Sequence, residues 1–168
     1  DTSRSRQLLL DVWGVGTARR PILRSGAKAG DAIFLTGVLG KRKFNAPFEP
    51  RLREAQFLAE RFKISAMIDI SDGLAQDAAH LARASRVRID LDPAALVTSE
   101  LHEVCAQLGL DPLSMALGGG EDYALIATVP VGSSPEGTRV IGRVTEGDGV
   151  WLDGRRLAAT GFDHFREG

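Results

Sequence analysis

The amino-acid sequence predicts an α+β fold built on a mixed or largely antiparallel sheet. Short apolar segments of strand length, such as 32–36 and 66–70, are interspersed with segments such as 51–62 and 74–85, in which apolar residues recur every three or four positions. Strands and helices follow one another without strict alternation, which disfavours a parallel βαβ arrangement. The 168 residues suffice for one domain with a substantial hydrophobic core.

The strands are predicted from apolar runs that end at glycines or polar turns. The first run is closed by Gly14 and Gly16, and the second by Gly37. Residues 147–149 and 153–154 have the composition of hairpin turns flanking a short strand. The predicted strands are 8–15, 32–36, 66–70, 87–91, 122–129, 139–144 and 150–152.

The helices are predicted from apolar residues at three- and four-residue spacing. Residues 51–62 and 74–85 each place such residues on one face, and a third helix over 99–108 ends at Gly109, as a C-cap predicts. The segment 38–50 is irregular and broken by two prolines. In the first helix the recurring apolar residues are Leu52, Ala55, Ala59 and Phe62, with Leu58 beside them; the apolar face of the second consists of Leu74, Ala78, Leu81 and Ala82.

Composition excludes several classes of function. The net charge of −1 gives no basic field for nucleic acid or an anionic membrane surface. No apolar run approaches the roughly 20 residues that span a bilayer. The lone Cys105 cannot form an internal disulfide, which fits a reducing cytoplasm, and we expect it to pack in the core. The sequence begins at Asp1 with neither an initiator Met nor a signal-peptide pattern, so we expect a longer gene product.

The first candidate site lies where a predicted strand runs into a predicted helix. On an extended strand Asp69 and Ser71 project to the same side, and the turn at Gly73 can bring Asp72 to them. Such hard oxygen ligands are those that magnesium prefers, and backbone N–H groups at the helix start favour a phosphate. Two structural roles compete: Ser71 or Asp72 as the helix N-cap, and Asp69 paired with an arginine.

The second candidate site is the glycine- and acid-rich segment 118–123. Three consecutive glycines cost conformational entropy, and a close approach of their backbone to another group would justify them. Glu121 and Asp122 follow at once and lead into a predicted strand. The alternative is a flexible turn with solvated acids.

Together these two segments resemble a known family. Residues 66–74 and 119–123 are similar to two signature stretches of thiamine-monophosphate kinase, within the superfamily named for aminoimidazole ribonucleotide synthetase. The resemblance covers nearly the whole chain but only the C-terminal half of the family's length. Weaker matches occur in the family's order at residues 1–4, 23–31 with 36–37, and 161–165.

The resemblance implies ATP- and Mg²⁺-dependent phosphorylation of thiamine monophosphate to thiamine diphosphate. Residues 1–168 would form the C-terminal domain of a two-domain cytoplasmic kinase, possessing little activity without its N-terminal ATP-binding domain and able to form a homodimer. No covalent nucleophile is expected, because positioning and charge neutralisation carry phosphoryl transfer. By the resemblance, the site residues are Asp69 and Asp72 for magnesium, Ser71 and Arg4 for ATP, and Glu121 and Phe162 for the thiamine substrate.

Departures from the family pattern keep two other functions open. The segment 41–50 is short and basic where the family continues into a helix, Ala124 replaces a usual glutamate, and Arg86 and Arg88 replace small residues. A related ATP-dependent synthetase or dikinase acting on another small molecule is one alternative. A non-catalytic domain that retains the fold for binding is the other. The three histidines show no spacing typical of a metal site or a catalytic triad.

Overall fold

The computed structural model describes residues 12–40, 50–136 and 138–158. Most predicted elements are present close to their expected bounds. The strands are β1 Asp31–Thr36, β2 Ala66–Asp69, β3 Arg88–Leu91, β4 Leu125–Pro130, β5 Arg139–Thr145, β6 Gly149–Leu152 and β7 Arg155–Arg156. The helices are α1 Leu52–Arg61, α2 Leu74–Ser85, α3 Pro93–Leu96, α4 Ser99–Leu108 and α5 Pro112–Gly118.

The strands form one seven-stranded sheet in the order β2-β4-β1-β5-β3-β6-β7. Neighbouring strands are antiparallel except β3 and β6, which are parallel. The predicted α+β class with a mixed sheet is therefore confirmed. A bulge in the β1–β5 ladder lies between Ile33 and Phe34. Nearby, a Cβ on Gly142 of β5 would lie 2.2 Å from the carbonyl oxygen of Asp90, so only glycine fits there.

Both faces of the sheet are covered. Successive side chains of β1 point to opposite faces, so they belong to two separate hydrophobic cores. Ile33 and Leu35 belong to the larger cluster, which also contains buried residues of α2. Phe34 points the other way and packs with Leu58 of α1 in a smaller cluster. The apolar face predicted for α2 is fully buried, and Cys105 is a buried free thiol as expected. Within the described residues, no helix is long and apolar enough to cross a membrane.

The C-terminal end of α4 has the predicted glycine cap. Two further short helices, which were not predicted, begin with a common capping sequence. Gly109 takes the left-handed conformation, φ 67°, at the end of α4, as predicted. The unpredicted α3 and α5 contain only four and seven residues, too few for a periodic pattern. Both begin with Asp-Pro, in which Asp92 or Asp111 caps the helix through its carboxylate and the proline occupies the first turn.

Three sequence predictions about strands need correction. Residues 12–15, the described part of the predicted first strand, are not in a strand, and Val12, Trp13 and Val15 are more than 80% exposed. Strand β4 begins at Leu125 rather than at residue 122, because the preceding residues turn with positive φ. The segment 147–149 does not join paired strands: β3 lies between β5 and β6. The hairpin at 153–154 is confirmed.

A charged and aromatic cluster stabilises the far end of the sheet. The Arg88 guanidinium donates to Asp90 and lies 4.0 Å above the centre of the Trp151 ring, and the Thr145 hydroxyl donates to Asp90 at 2.7 Å. Burial raises the pKa of Asp90, but the hydrogen bonds from Arg88 and Thr145 and the charges of Arg88 and Arg143 lower it more. The net pKa lies below the ordinary value.

This cluster predicts a pH-dependent contribution to stability. A carboxyl whose pKa is lowered by folding stabilises the protein above its unfolded pKa, and that stabilisation is lost as pH falls through the folded value. We expect Asp90→Asn to lower the free energy of unfolding by about 1 kcal/mol at pH 7, and the difference to shrink below about pH 4. Urea unfolding at several pH values measures this, with the exposed turn variant Asp153→Asn as control. An equal loss at every pH would contradict the account.

Candidate functional site

Two connecting segments meet at one end of the sheet, where β2 ends and β4 begins. The Glu121 N–H donates to the Ser71 carbonyl at 2.7 Å. Closer to the sheet, the Tyr123 N–H donates to the carbonyl of Ile70 at 2.8 Å, and the Ile70 N–H donates to the carbonyl of Ala124 at 2.8 Å. The turn 70–73 and the loop 118–124 therefore form one backbone-bonded junction, in which the two acidic segments of the sequence meet.

Glycines suit this junction because the backbone has positive φ and a Cβ would press against the opposite segment. A Cβ on Gly120, φ 59°, would lie 3.3 Å from the Ser71 carbonyl oxygen. A Cβ on Gly73, φ 120°, would lie 3.1 Å from the Leu117 carbonyl oxygen and 3.2 Å from the Gly118 Cα. The glycine run is thus required for close backbone approach, as one interpretation predicted, and is not a freely solvated turn.

A third connection, the segment that follows β1, joins the same junction. The Gly40 N–H donates to Asp122 Oδ2 at 2.8 Å. A Cβ on Gly119 would lie 3.4 Å from the Gly40 Cα and 2.6 Å from the Met115 carbonyl oxygen. Asp122 therefore holds backbone together within the fold, whereas the neighbouring Glu121 is exposed.

The predicted site residues that the structure describes differ in how far they are exposed at this junction. Asp69 is the exposed last residue of β2, and within the described residues it has no arginine partner. Ser71 and Asp72 are half-buried, and one oxygen of Asp72 accepts from Gln76 Nε2 at 3.2 Å. Glu121 is exposed and has a left-handed backbone, φ 54°. Arg4 and Phe162 lie outside the described residues.

The turn that precedes α2 is held by Asp77, a residue that the sequence pattern does not mark as functional. The N-cap position is Gly73, so neither Ser71 nor Asp72 caps the helix. Instead, Asp77 Oδ2 accepts from the backbone N–H groups of Ser71 and Asp72 at 3.0 Å and of Gly73 at 3.2 Å. These three N–H groups are therefore occupied by a carboxylate of the protein and are not available to a phosphate.

Burial dominates the electrostatics of Asp77. Asp77 is 2% exposed, and burial raises the pKa of its carboxyl, as does the negative charge of Asp72, while the three N–H donors oppose the rise. One oxygen of Asp72, one oxygen of Asp77 and one ring nitrogen of His80 lie within 4.8 Å of one another. His80 and Asp77 were missed because their spacing after the turn resembles an ordinary amphipathic helix.

The chemistry of the two predicted donors fits a hard divalent cation. Asp69 offers an exposed carboxylate, and Asp72 offers a half-buried carboxylate held in place by Gln76. Neither carboxylate is in an ion pair within the described residues, so both can accept a cation without breaking one. Carboxylate oxygens beside a solvent-accessible junction suit Mg²⁺, which keeps several waters and binds through one or two protein carboxylates.

Comparison with known proteins agrees with this geometry. Residues 40–153 match the family described as AIR synthase related protein, C-terminal domain. The chain belongs to this family. The matched segment contains both halves of the junction, from the segment after β1 through α2 and the glycine run to β6.

The AIR synthase-related chain also resembles kinases in sequence and structure. It is 35% identical to thiamine-monophosphate kinase of Aquifex aeolicus (strain VF5), over 97% of this chain and 61% of that protein. It is 38% identical to thiamine-monophosphate kinase of Mycobacterium tuberculosis (strain H37Rv), over 99% of this chain and 57% of that protein. A solved structure described as AaThiL complexed with AMPPCP and TMP matches with a TM-score of 0.75 and 33% identity, covering 86% of this chain and 54% of that one.

The AIR synthase-related chain thus spans somewhat more than half the length of the relatives it matches. One of its departures from the family pattern has a structural explanation: Ala124 is 1% exposed and packs in the larger core. Arg86 is the left-handed C-cap of α2, with φ 57°, a conformation that favours glycine, and nothing in the structure explains an arginine there. The segment 41–49 lies outside the described residues.

Proposed function

We propose that the full-length protein containing this chain transfers the γ-phosphoryl group of ATP to thiamine monophosphate. The observation that carries the proposal is the junction in which Glu121 is bonded to the backbone of Ser71, one residue from Asp72. The similarity to thiamine-monophosphate kinases supports the choice of reaction and acceptor. AMPPCP is an ATP analogue, and a relative binds it together with TMP.

In this proposal the chain supplies the groups that position cations and the acceptor. Asp69 and Asp72 hold Mg²⁺, which neutralises phosphate charge when bound. Ser71 contacts ATP through its hydroxyl, and Arg4 also contacts ATP. Glu121 holds the cationic, amino-bearing rings of the thiamine substrate, against which Phe162 packs. The attacking phosphate oxygen needs no covalent catalyst, because in-line positioning and charge neutralisation lower the barrier.

The proposal extends to the rest of the protein. Further nucleotide contacts come from an N-terminal ATP-binding domain, so residues 1–168 alone have little activity. The protein is cytoplasmic, where ATP and thiamine phosphates are available, and a homodimer is compatible with the two-domain plan.

The assay that tests the proposal measures ADP release and thiamine diphosphate formation by the full-length protein. We expect ADP release to require both Mg²⁺ and thiamine monophosphate, with one thiamine diphosphate formed per ADP. ATP consumption that is independent of thiamine monophosphate would favour a different acceptor. Calorimetry that detects no binding of ATP, Mg²⁺ or thiamine monophosphate would favour a non-catalytic domain.

The role of Glu121 makes a separate prediction. Glu121→Gln removes the negative charge opposite a cationic ring and should raise KM for thiamine monophosphate by about tenfold or more, since hydrogen bonds to charged groups contribute about 1.5–3 kcal/mol. KM for ATP should stay within about twofold. Steady-state kinetics measure both constants. The matched control is Glu103→Gln on the exposed face of α4. An unchanged KM for thiamine monophosphate would remove Glu121 from the acceptor site.

A further inference from the structure

The buried carboxylate of Asp77 organises the turn that carries Ser71 and Asp72. A single oxygen, Oδ2, accepts three consecutive backbone N–H groups, at 3.0, 3.0 and 3.2 Å. Three donors on one acceptor fix the peptide planes on both sides of Asp72. The direction in which the Asp72 side chain leaves the backbone is therefore set by Asp77, which lies in the first turn of α2.

Helix capping alone does not require this arrangement. A serine or aspartate at the N-cap would satisfy orphan N–H groups near the surface, where desolvation costs little. Here the N-cap is Gly73 without a side-chain bond, and the capping acid is 2% exposed, one turn inside the helix and close to another carboxylate. Burying an acid there costs stability. The consequence is that Ser71 and Asp72 keep their side chains out of the cap.

The proximity of His80 raises a different possibility, in which Asp72, Asp77 and His80 all ligate one ion. Their nearest ligand atoms lie within 4.8 Å of one another. However, Asp77 Oδ2 already accepts three N–H donors, so only the other oxygen of this buried residue is left for an ion, whereas Asp72 is half-buried. The geometry favours Asp77 as a fixed support and Asp72 as the group that reaches outward.

We propose that Asp77 is a positioning residue, which orients the Asp72 carboxylate for its cation by holding the backbone of residues 71–73. The inference rests on the proposed function, in which Asp72 binds Mg²⁺, and extends that function to Asp77, which holds the backbone of Asp72. Residues that orient metal ligands typically contribute 10- to 100-fold to metal affinity, so the effect is measurable.

Two substitutions separate geometry from charge. Asp77→Asn keeps an oxygen acceptor in the same place and removes the charge. Asp77→Glu keeps the charge and displaces the oxygen by one methylene. Amide hydrogen exchange of residues 71–73 in the metal-free full-length protein should stay within about threefold of wild type in Asp77→Asn and accelerate about tenfold or more in Asp77→Glu. Thermal unfolding checks that both variants are folded.

The second readout is Mn²⁺ affinity in the presence of AMPPCP, followed by electron paramagnetic resonance. We expect the Mn²⁺ Kd to rise about tenfold or more in Asp77→Glu and to stay within about threefold in Asp77→Asn. His80→Gln should leave the Kd unchanged. In steady-state assays we expect Asp77→Glu to lower kcat in parallel with its Mn²⁺ affinity and to leave KM for thiamine monophosphate constant.

Opposite results would overturn the inference. A larger loss of Mn²⁺ affinity in Asp77→Asn than in Asp77→Glu would mean that the charge matters, and an equal loss in His80→Gln would mean direct ligation. Should Asp77→Glu not fold, Asp77→Asn decides alone: affinity within threefold supports positioning and a tenfold loss contradicts it. Wild-type protein that binds Mn²⁺ and AMPPCP but never phosphorylates thiamine monophosphate would refute the proposed acceptor only, leaving the exchange and Mn²⁺ results decisive for Asp77.

Discussion

Asp72→Asn in the full-length protein is expected to lower kcat by about 10²-fold or more, a loss near 2.7 kcal/mol of transition-state stabilisation. The substitution removes one negative charge from the group proposed to hold Mg²⁺ between the phosphates. An asparagine retains an oxygen that can accept the 3.2 Å hydrogen bond from Gln76 Nε2, so the turn should keep its conformation. The loss should therefore be in catalysis and metal affinity rather than in folding.

Matched measurements identify the cause of that loss. Raising the Mg²⁺ concentration should partly restore kcat in Asp72→Asn, because the cation site is weakened and not removed. Asp153→Asn, in the exposed turn between β6 and β7, changes the net charge equally and should be kinetically silent. Wild-type turnover in Asp72→Asn at limiting Mg²⁺ would place Asp72 outside the site.

Gly73→Ala is expected to have the second-largest effect, because it disturbs both sides of the junction. At φ 120° an alanine is strained, which costs on the order of 1–3 kcal/mol. Its Cβ would also lie 3.1 Å from the Leu117 carbonyl oxygen, so the backbone at the start of the glycine run would have to shift by a few tenths of an ångström. We expect kcat to fall about tenfold or more, since small displacements of positioned groups are costly in phosphoryl transfer.

Gly30→Ala is the control that isolates backbone strain from close approach. Gly30 also has a positive φ, 93°, but a Cβ there meets nothing within 4 Å. It should lower the free energy of unfolding while leaving kcat unchanged. Unfolding by urea and steady-state kinetics on both variants measure the difference. Equal turnover in Gly73→Ala and Gly30→Ala would show that the spacing of the two segments does not matter.

Much of the fold was predictable because its elements carry local signals. Helix α2 was predicted with its observed bounds, since its apolar residues fall on one face, and Gly109 marks the end of α4. The parallel pairing of β3 with β6 was not predictable, because strand order depends on contacts distant in sequence. Residues 12–15 have strand-like composition but no strand partner among the described residues.

The close backbone contact of the glycine run was predictable from the sequence, but the support beneath the turn 71–73 was not. The sequence predicts Asp69, Asp72 and Glu121 as candidate ligands because they are acids beside glycines or at strand ends. The glycine run predicts a close backbone contact. Asp77 carries no such signal: an acid in the first turn of a helix ordinarily faces solvent. Only the three-dimensional structure shows that its carboxylate turns back onto the preceding turn.

Anomalous diffraction from Mn²⁺ in crystals of the full-length protein, grown with AMPPCP and thiamine monophosphate, tests the metal assignment most directly. We expect manganese within about 2.0–2.3 Å of carboxylate oxygens of Asp69 and Asp72, with the thiamine moiety against Glu121. Manganese bound to the nucleotide but remote from both aspartates would contradict the account.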